Sequence, residues 1–221
     1  MPLARHSFAL LIAASAAAAC AGGASPAEET APVVPSRPLA SVMNQRVVVA
    51  PVNSVREGDP LGWAASIPRQ REWLRSLDGE ITRELGERGL RTAWAFPPDL
   101  VQAYQRNQAM SPDPHRLSPA PLQGITRLSG KERVPDPLAS QLRTLVAVHD
   151  ARYVLLPLDV SFENAEAGEA GGRARLRLVL IDARTTELIW IGDVRSEPAP
   201  SLTPGVAVSL ASRFADLIVA R

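Results

Sequence analysis

Residues 178–194, LVLIDARTTELIWIGDV, hold two apolar, β-favouring runs separated by a short polar break. That pattern predicts a β-hairpin, two antiparallel strands joined by a tight turn. With Arg184 and Thr185 as the turn, Leu180 faces Ile189 and Leu178 faces Ile191 on one side of the sheet. On the other side Ile181 meets Leu188, and Val179 meets Trp190. Both faces are therefore apolar near the turn. A sheet with one wet face alternates cleanly between apolar and polar residues, so this one is predicted to be covered by helices on both sides. Asp182 stands where the first strand gives way to the turn. Aspartate suits that place because its carboxylate accepts nearby backbone N–H groups, and it is read as a turn residue rather than a catalytic one.

The elements that cover such a sheet are also legible. RVVVAPV, residues 46–52, is a continuous β-branched run bounded by Pro51 and reads as a strand buried on both faces. In residues 67–89, Trp73, Leu74, Leu77, Ile81 and Leu85 fall at helical spacing, and Gly89 is a suitable stop. LRTAWAF, residues 90–96, follows as a second strand ended by Pro97 and Pro98, with Asp99 placed to cap a short helix LVQAYQRN. Strand, helix and strand in close succession predict a βαβ unit with parallel strands. Further along, Leu138, Leu142, Leu145 and Val146 share one helical face. RYVLLPLDVSF, residues 152–162, is a strand interrupted at Pro157, and NAEAGEAGG is a flexible turn. Ala207, Leu210, Ala211, Phe214, Leu217 and Ile218 form the apolar stripe of a closing helix.

Residues 108–137 differ, with six prolines and no period. An insertion of that length is usually either functional or disordered, and both readings stay open. It lacks the alternation of a membrane-inserting β-hairpin.

The amino terminus is read as a targeting segment. Arg5 supplies a positive charge, and FALLIAASAAAA, residues 8–19, is a short apolar stretch followed by small residues. It falls short of the roughly 20 apolar residues that a membrane-spanning helix requires. Cys20, the only cysteine in the chain, ends this segment and cannot make an internal disulfide. The surrounding AAAACAGG resembles the lipobox of bacterial lipoproteins, with Ala17 where leucine is usual. That resemblance implies cleavage before Cys20, lipid on its sulfur and amine, and a membrane anchor. Ala21 after the cysteine implies, by the enterobacterial pattern, the outer membrane and a periplasmic location. The alternative is an ordinary secretory peptide with Cys20 incidental. Residues 21–44, rich in Ala, Pro, Ser and Gly, are read as a tether, and residues 45–221 as one domain.

Little in the sequence points to catalysis. The formal net charge of +1 gives no reason to expect nucleic acid. After the targeting segment the histidines are His115 and His149, too few for a metal-dependent phosphohydrolase. There is no Gly-x-Ser-x-Gly elbow and no phosphate-cradling glycine loop. No catalytic residue, metal or cofactor is assigned. Arg173, Arg175 and Arg177 alternate along one strand face. They are read either as a partner- or anion-binding stripe or as a solvated strand end paired with Glu163, Glu166 or Glu169. The last strand, 187–195, carries Trp190 and is read as a sheet edge open to a partner strand, with Asp193 and Arg195 positioned to discourage it.

The order RVVVAPV, a helix carrying WL…L…IT, RYVLLPLDV and then VLIDARTTELIW resembles the TolB amino-terminal-like and curli-channel-like domain superfamily of bacterial envelope lipoproteins. The hairpin of that group pairs aspartate, a Thr-Gly turn, glutamate and tryptophan; Asp182, Thr185, Glu187 and Trp190 match. Thr186 replaces the glycine, so a turn of different type or length is expected. The resemblance implies an α/β fold of three layers, α/β/α, with a mixed five-stranded sheet, a C-terminal β-hairpin and a closing helix. The targeting segment, the tether, this resemblance and the lack of a catalytic constellation together point to a non-catalytic lipoprotein that binds or regulates another envelope protein, and the strand pattern leaves Arg173, Arg175, Arg177 and Trp190 as partner-binding candidates. A secretion-channel subunit and a small-ligand or glycan-binding domain are the alternatives. The sign of the last would be a pocket holding a perturbed carboxylate or histidine.

Overall fold

Five strands are present in the computed structural model, which describes residues 37–220. They are β1 (Val47–Val49), β2 (Trp94–Ala95), β3 (Tyr153–Asn164), β4 (Gly172–Asp182) and β5 (Glu187–Arg195). Four α-helices accompany them, α1 (Gln70–Glu87), α2 (Pro97–Arg106), α3 (Leu138–Val148) and α4 (Pro204–Asp216). The strand order is β2-β1-β3-β4-β5. β1 runs parallel to β2 and β3, whereas β3, β4 and β5 pair antiparallel, so the sheet is mixed. The expectations for the targeting segment, Cys20 and the first part of the tether lie outside the described residues.

Alternation along each strand divides the core into two. Val47, Val49, Leu176, Leu178 and Leu180 point to the face covered by α1 and α4, where Leu74, Leu77, Ile81, Leu210 and Phe214 are buried. Val48, Val154, Leu156, Val179 and Ile181 point to the opposite face, covered by Leu100 of α2 and Leu138, Leu142 and Leu145 of α3. The three layers and mixed sheet are those implied by the hairpin resemblance. Helix α1 carries its apolar stripe where the periodicity placed it, and each fully buried leucine contributes roughly 2 kcal/mol by transfer. Gly89, at φ +89°, turns the chain out of that helix.

Several details depart from the sequence expectations. The hairpin register matches only at Ile181, which faces Leu188; beyond it Leu180 faces Trp190, Val179 faces Ile191 and Leu178 faces Gly192. A β-bulge is the cause: Ile189 is the extra residue and lies 47% exposed. The slip carries Trp190 onto the α1/α4 side, where it packs against the core. Its indole covers Gly192 so closely that an added Cβ would lie 2.3 Å from Cζ2. Gly192→Ala is therefore expected to displace the indole at a cost of about 1–2 kcal/mol. A red shift in tryptophan fluorescence together with a lower denaturation midpoint would register it.

The turn itself spans residues 183–186, and Thr186 adopts φ +63° despite its β-branch. Its strained backbone is held from both sides: its carbonyl accepts the Val134 N–H at 2.9 Å, and Asp182 accepts the Arg184 N–H at 3.0 Å. Strand β3 is not broken at Pro157. The register shifts between Pro157 and Asp159 instead, so the missing N–H falls at an irregularity. Helix α2 begins at Pro97, ahead of the predicted cap, and Asp99 accepts the Phe96 N–H at 2.9 Å from inside the first turn.

The proline-rich insertion is ordered. Leu117, Leu122 and Val134 are buried in the α2/α3-side core. Residues 132–134 run beside the start of β5, with the Leu188 N–H donating to the Glu132 carbonyl at 3.3 Å. The packed fold also begins earlier than residue 45, since Leu39 is fully buried and its N–H donates to the Leu217 carbonyl at 3.1 Å.

Candidate functional site

The arginine stripe lies on β4, on the same side as Val179 and Ile181. Each guanidinium there has a partner within the chain. Arg173 pairs with Glu169 at 2.6 Å, and Arg177 grips both Asp193 oxygens at 2.7 and 3.0 Å. Arg175 reaches the Ser161 hydroxyl at 3.0 Å and Glu163 at 3.5 Å. Arg195 pairs with Glu163 at 2.7 Å and Arg56 with Asp159 at 2.9 Å, which extends the lattice across β3 to β5. Burial pushes the Asp193 carboxyl up, but the hydrogen bond and charge of Arg177 outweigh it and hold the group below its ordinary value. Trp190 faces the other side of the sheet, so the structure does not bring it together with the arginines.

Asp182 is a structural carboxylate. One oxygen accepts the Arg184 N–H, while the other takes Arg152 Nε at 2.8 Å. His149 closes α3, and its buried Nε2 has no hydrogen-bond partner among the described residues. Asp150 turns away at φ 48° to meet Arg46 at 3.2 Å, so His149 and Asp150 do not converge. Among the described residues no cluster of three metal-ligating side chains is present.

A different place gathers charged groups that lack ion-pair partners among the described residues. The chain leaves β1 through Val52 and Asn53 and enters the sheet again as β2 on one side and β3 on the other. A cleft of about 320 Å³ occupies that end of β1, its polar lining being Asn53, then Arg71, Arg75 and Asp78 of α1, and Asp113, His115 and Arg116 of the insertion. Asn53 pins the insertion there by donating to the Pro114 and Leu117 carbonyls at 3.2 and 3.3 Å.

Asp78 is 5% exposed. Its Oδ1 accepts the Val52 N–H at 2.9 Å. Its Oδ2 makes no hydrogen bond among the described residues. Burial pushes the carboxyl from 3.8 up to about 7, against the pull of the Val52 N–H. The imidazole of His115 is lowered, first by burial and then by the charge of Arg75. Arg71, Arg75 and Arg116 have no ion-pair partner among the described residues, in contrast to the ion-paired arginines of the sheet. Sequence reading missed this group because Asp78 sits inside the apolar stripe of α1, next to Leu77 and four residues after Leu74. A carboxylate at a core-facing helical position was the signal that could have found it.

No family model and no curated protein matches the chain. Among solved structures it is similar to the PelC dodecamer from Paraburkholderia phytofirmans, at 15% identity over 81% of this chain and 91% of that one, with a TM-score of 0.38. The C-terminal domain of LpoB from Escherichia coli is similar at 18% identity over 69% and 82%, with a TM-score of 0.33. Lipoprotein GNA1162 from Neisseria meningitidis is similar at 16% identity over 77% and 93%, with a TM-score of 0.31. At such values the function of this chain rests on its own residues.

Proposed function

We propose that this protein is a non-catalytic lipoprotein of the bacterial envelope, held at the periplasmic face of the outer membrane through Cys20, whose domain binds another envelope protein. The observation that carries the reading is the order of parts along the sequence. A short apolar segment ends in the chain's one cysteine, a proline-rich stretch follows, and then comes a fold with an edge strand to offer. Beyond the bridge at Glu187, β5 has β4 as its one neighbour among the described residues, which leaves its outer backbone groups available to a partner strand. Ile189 stands exposed on that edge. The paired Arg173, Arg175 and Arg177 flank it on one face and Trp190 on the other, and charge exchange across the lattice would favour an acidic partner segment.

The test is carried out in the native host with a C-terminal tag, crosslinking and mass spectrometry, beside a Cys20→Ser strain. One dominant envelope protein is expected with the natural chain. The Cys20→Ser chain is expected to leave the membrane fraction, to lose incorporation of labelled palmitate, and to recover that partner less well. Retention of Cys20→Ser in the membrane with no partner in either strain would refute the reading.

A further inference from the structure

The groups around Asp78 are better placed for a small molecule than for packing, and we infer that the cleft at the carboxyl end of β1 binds an anionic sugar, a hydroxylated body carrying an oxyanion, with Arg71 and Arg75 on the anion and Asp78 on a hydroxyl. This goes beyond the partner-binding reading and does not depend on it.

Three features of the cleft support the assignment. First, its volume of about 320 Å³ is at the lower end of small-ligand sites, the size of a single sugar ring rather than a chain. Second, Arg71 and Arg75 are exposed at the rim, one turn apart on α1, and lack carboxylate partners among the described residues. A planar fork of donors without a partner is suited to a carboxylate or phosphate. Third, the largely buried Asp78 lines the same cleft with an oxygen, Oδ2, that makes no hydrogen bond among the described residues, and a ligand hydroxyl can pair with it there. Because burial lifts that carboxyl to about 7, it can meet the ligand at neutral pH with its own proton or without it. Arg116 and His115 close the cleft from the insertion, while Asn53 fixes the insertion in place. That gives the proline-rich segment a reason to be ordered here.

Galacturonate, glucose 6-phosphate, galactose and inorganic phosphate are the probes, each titrated calorimetrically into the full mature protein. Saturable binding of galacturonate or glucose 6-phosphate is expected, and the preferred one identifies the oxyanion. Galactose is expected to bind at least about tenfold more weakly, as is expected for the loss of a charge-assisted pair. Arg75→Ala, at an exposed position that leaves the fold intact, should weaken the sugar anion about tenfold, and Asp78→Asn should weaken it while the protein remains folded. Four results would overturn the assignment: no saturable binding of either sugar anion, equal binding of galactose, binding of inorganic phosphate as tight as that of the sugar anions, or sugar-anion binding indifferent to both substitutions.

Discussion

Replacing Asp78 with asparagine is expected to stabilise the protein at pH 8 by about 2–4 kcal/mol. The carboxyl is lifted from 3.8 to about 7 in the folded chain. Between those values the unfolded chain has already lost the Asp78 proton while the folded chain still holds it. The contribution is thus fully present below about pH 3.8 and is lost as pH rises through about 7, which makes the natural protein weaker at pH 8 than at pH 5 on this account. Asparagine keeps an oxygen for the Val52 N–H and has no charge to bury. Asp182 and Asp193 act in the opposite sense, since their carboxyls are held low and their contributions fade only in acid. They are common to both proteins and cancel in the comparison. Urea denaturation at pH 5 and pH 8 reads the effect directly. Parallel pH profiles for the two proteins would contradict it.

Arg88→Ala is expected to cost about 3 kcal/mol, a loss close to that of breaking a buried ion pair. The Arg88 side chain is 10% exposed and sits between the ends of α1 and α4. Its Nη1 donates to Asp216 at 2.7 Å and to the Val219 carbonyl at 3.0 Å. Its Nη2 donates to Glu84 at 2.8 Å and to the Ser212 carbonyl at 3.2 Å. One planar group thus satisfies both a carboxylate of α1 and carbonyls at the end of α4. Arg88→Lys keeps the charge but not the fork, so it is expected to recover only part of the loss. Equilibrium denaturation in guanidinium chloride or urea measures both variants. A loss below about 1 kcal/mol for alanine would show that the bridge is replaced by water without consequence.

The layers were legible because they follow from periodicity. The stripe Leu74, Leu77, Ile81 and Leu85 gave α1, and the apolar character of both hairpin faces gave helices on both sides of the sheet. What was not legible depended on single backbone events. No pattern of residue types announces that Ile189 is skipped in the ladder, yet that one bulge decides which side of the sheet Trp190 packs on. Thr186 argued for another turn, but contacts from Val134, more than fifty positions away, hold it at positive φ. The insertion looked aperiodic because Leu117, Leu122 and Val134 are buried singly, from turns rather than from one regular element. The same reasoning explains the sites. Alternation placed Arg173, Arg175 and Arg177 on one face, but strand pairing alone reveals that Asp193 and Ser161 lie beside them. Asp78 passed unnoticed because spacing alone does not show that a carboxylate within an apolar stripe is turned toward a cleft built by residues 113–116.

The most direct test of a partner docked on the sheet edge is photocrosslinking from a single position in living cells of the native host. A photoreactive residue replaces Ile189 on β5 in one strain and Val208 on α4 in another; the two side chains are 47% and 40% exposed. One discrete adduct with an envelope protein is expected from position 189, diminished when Cys20 is also changed to serine, and none from position 208. An adduct from position 208 alone, or none from either, would contradict a partner on the β5 edge.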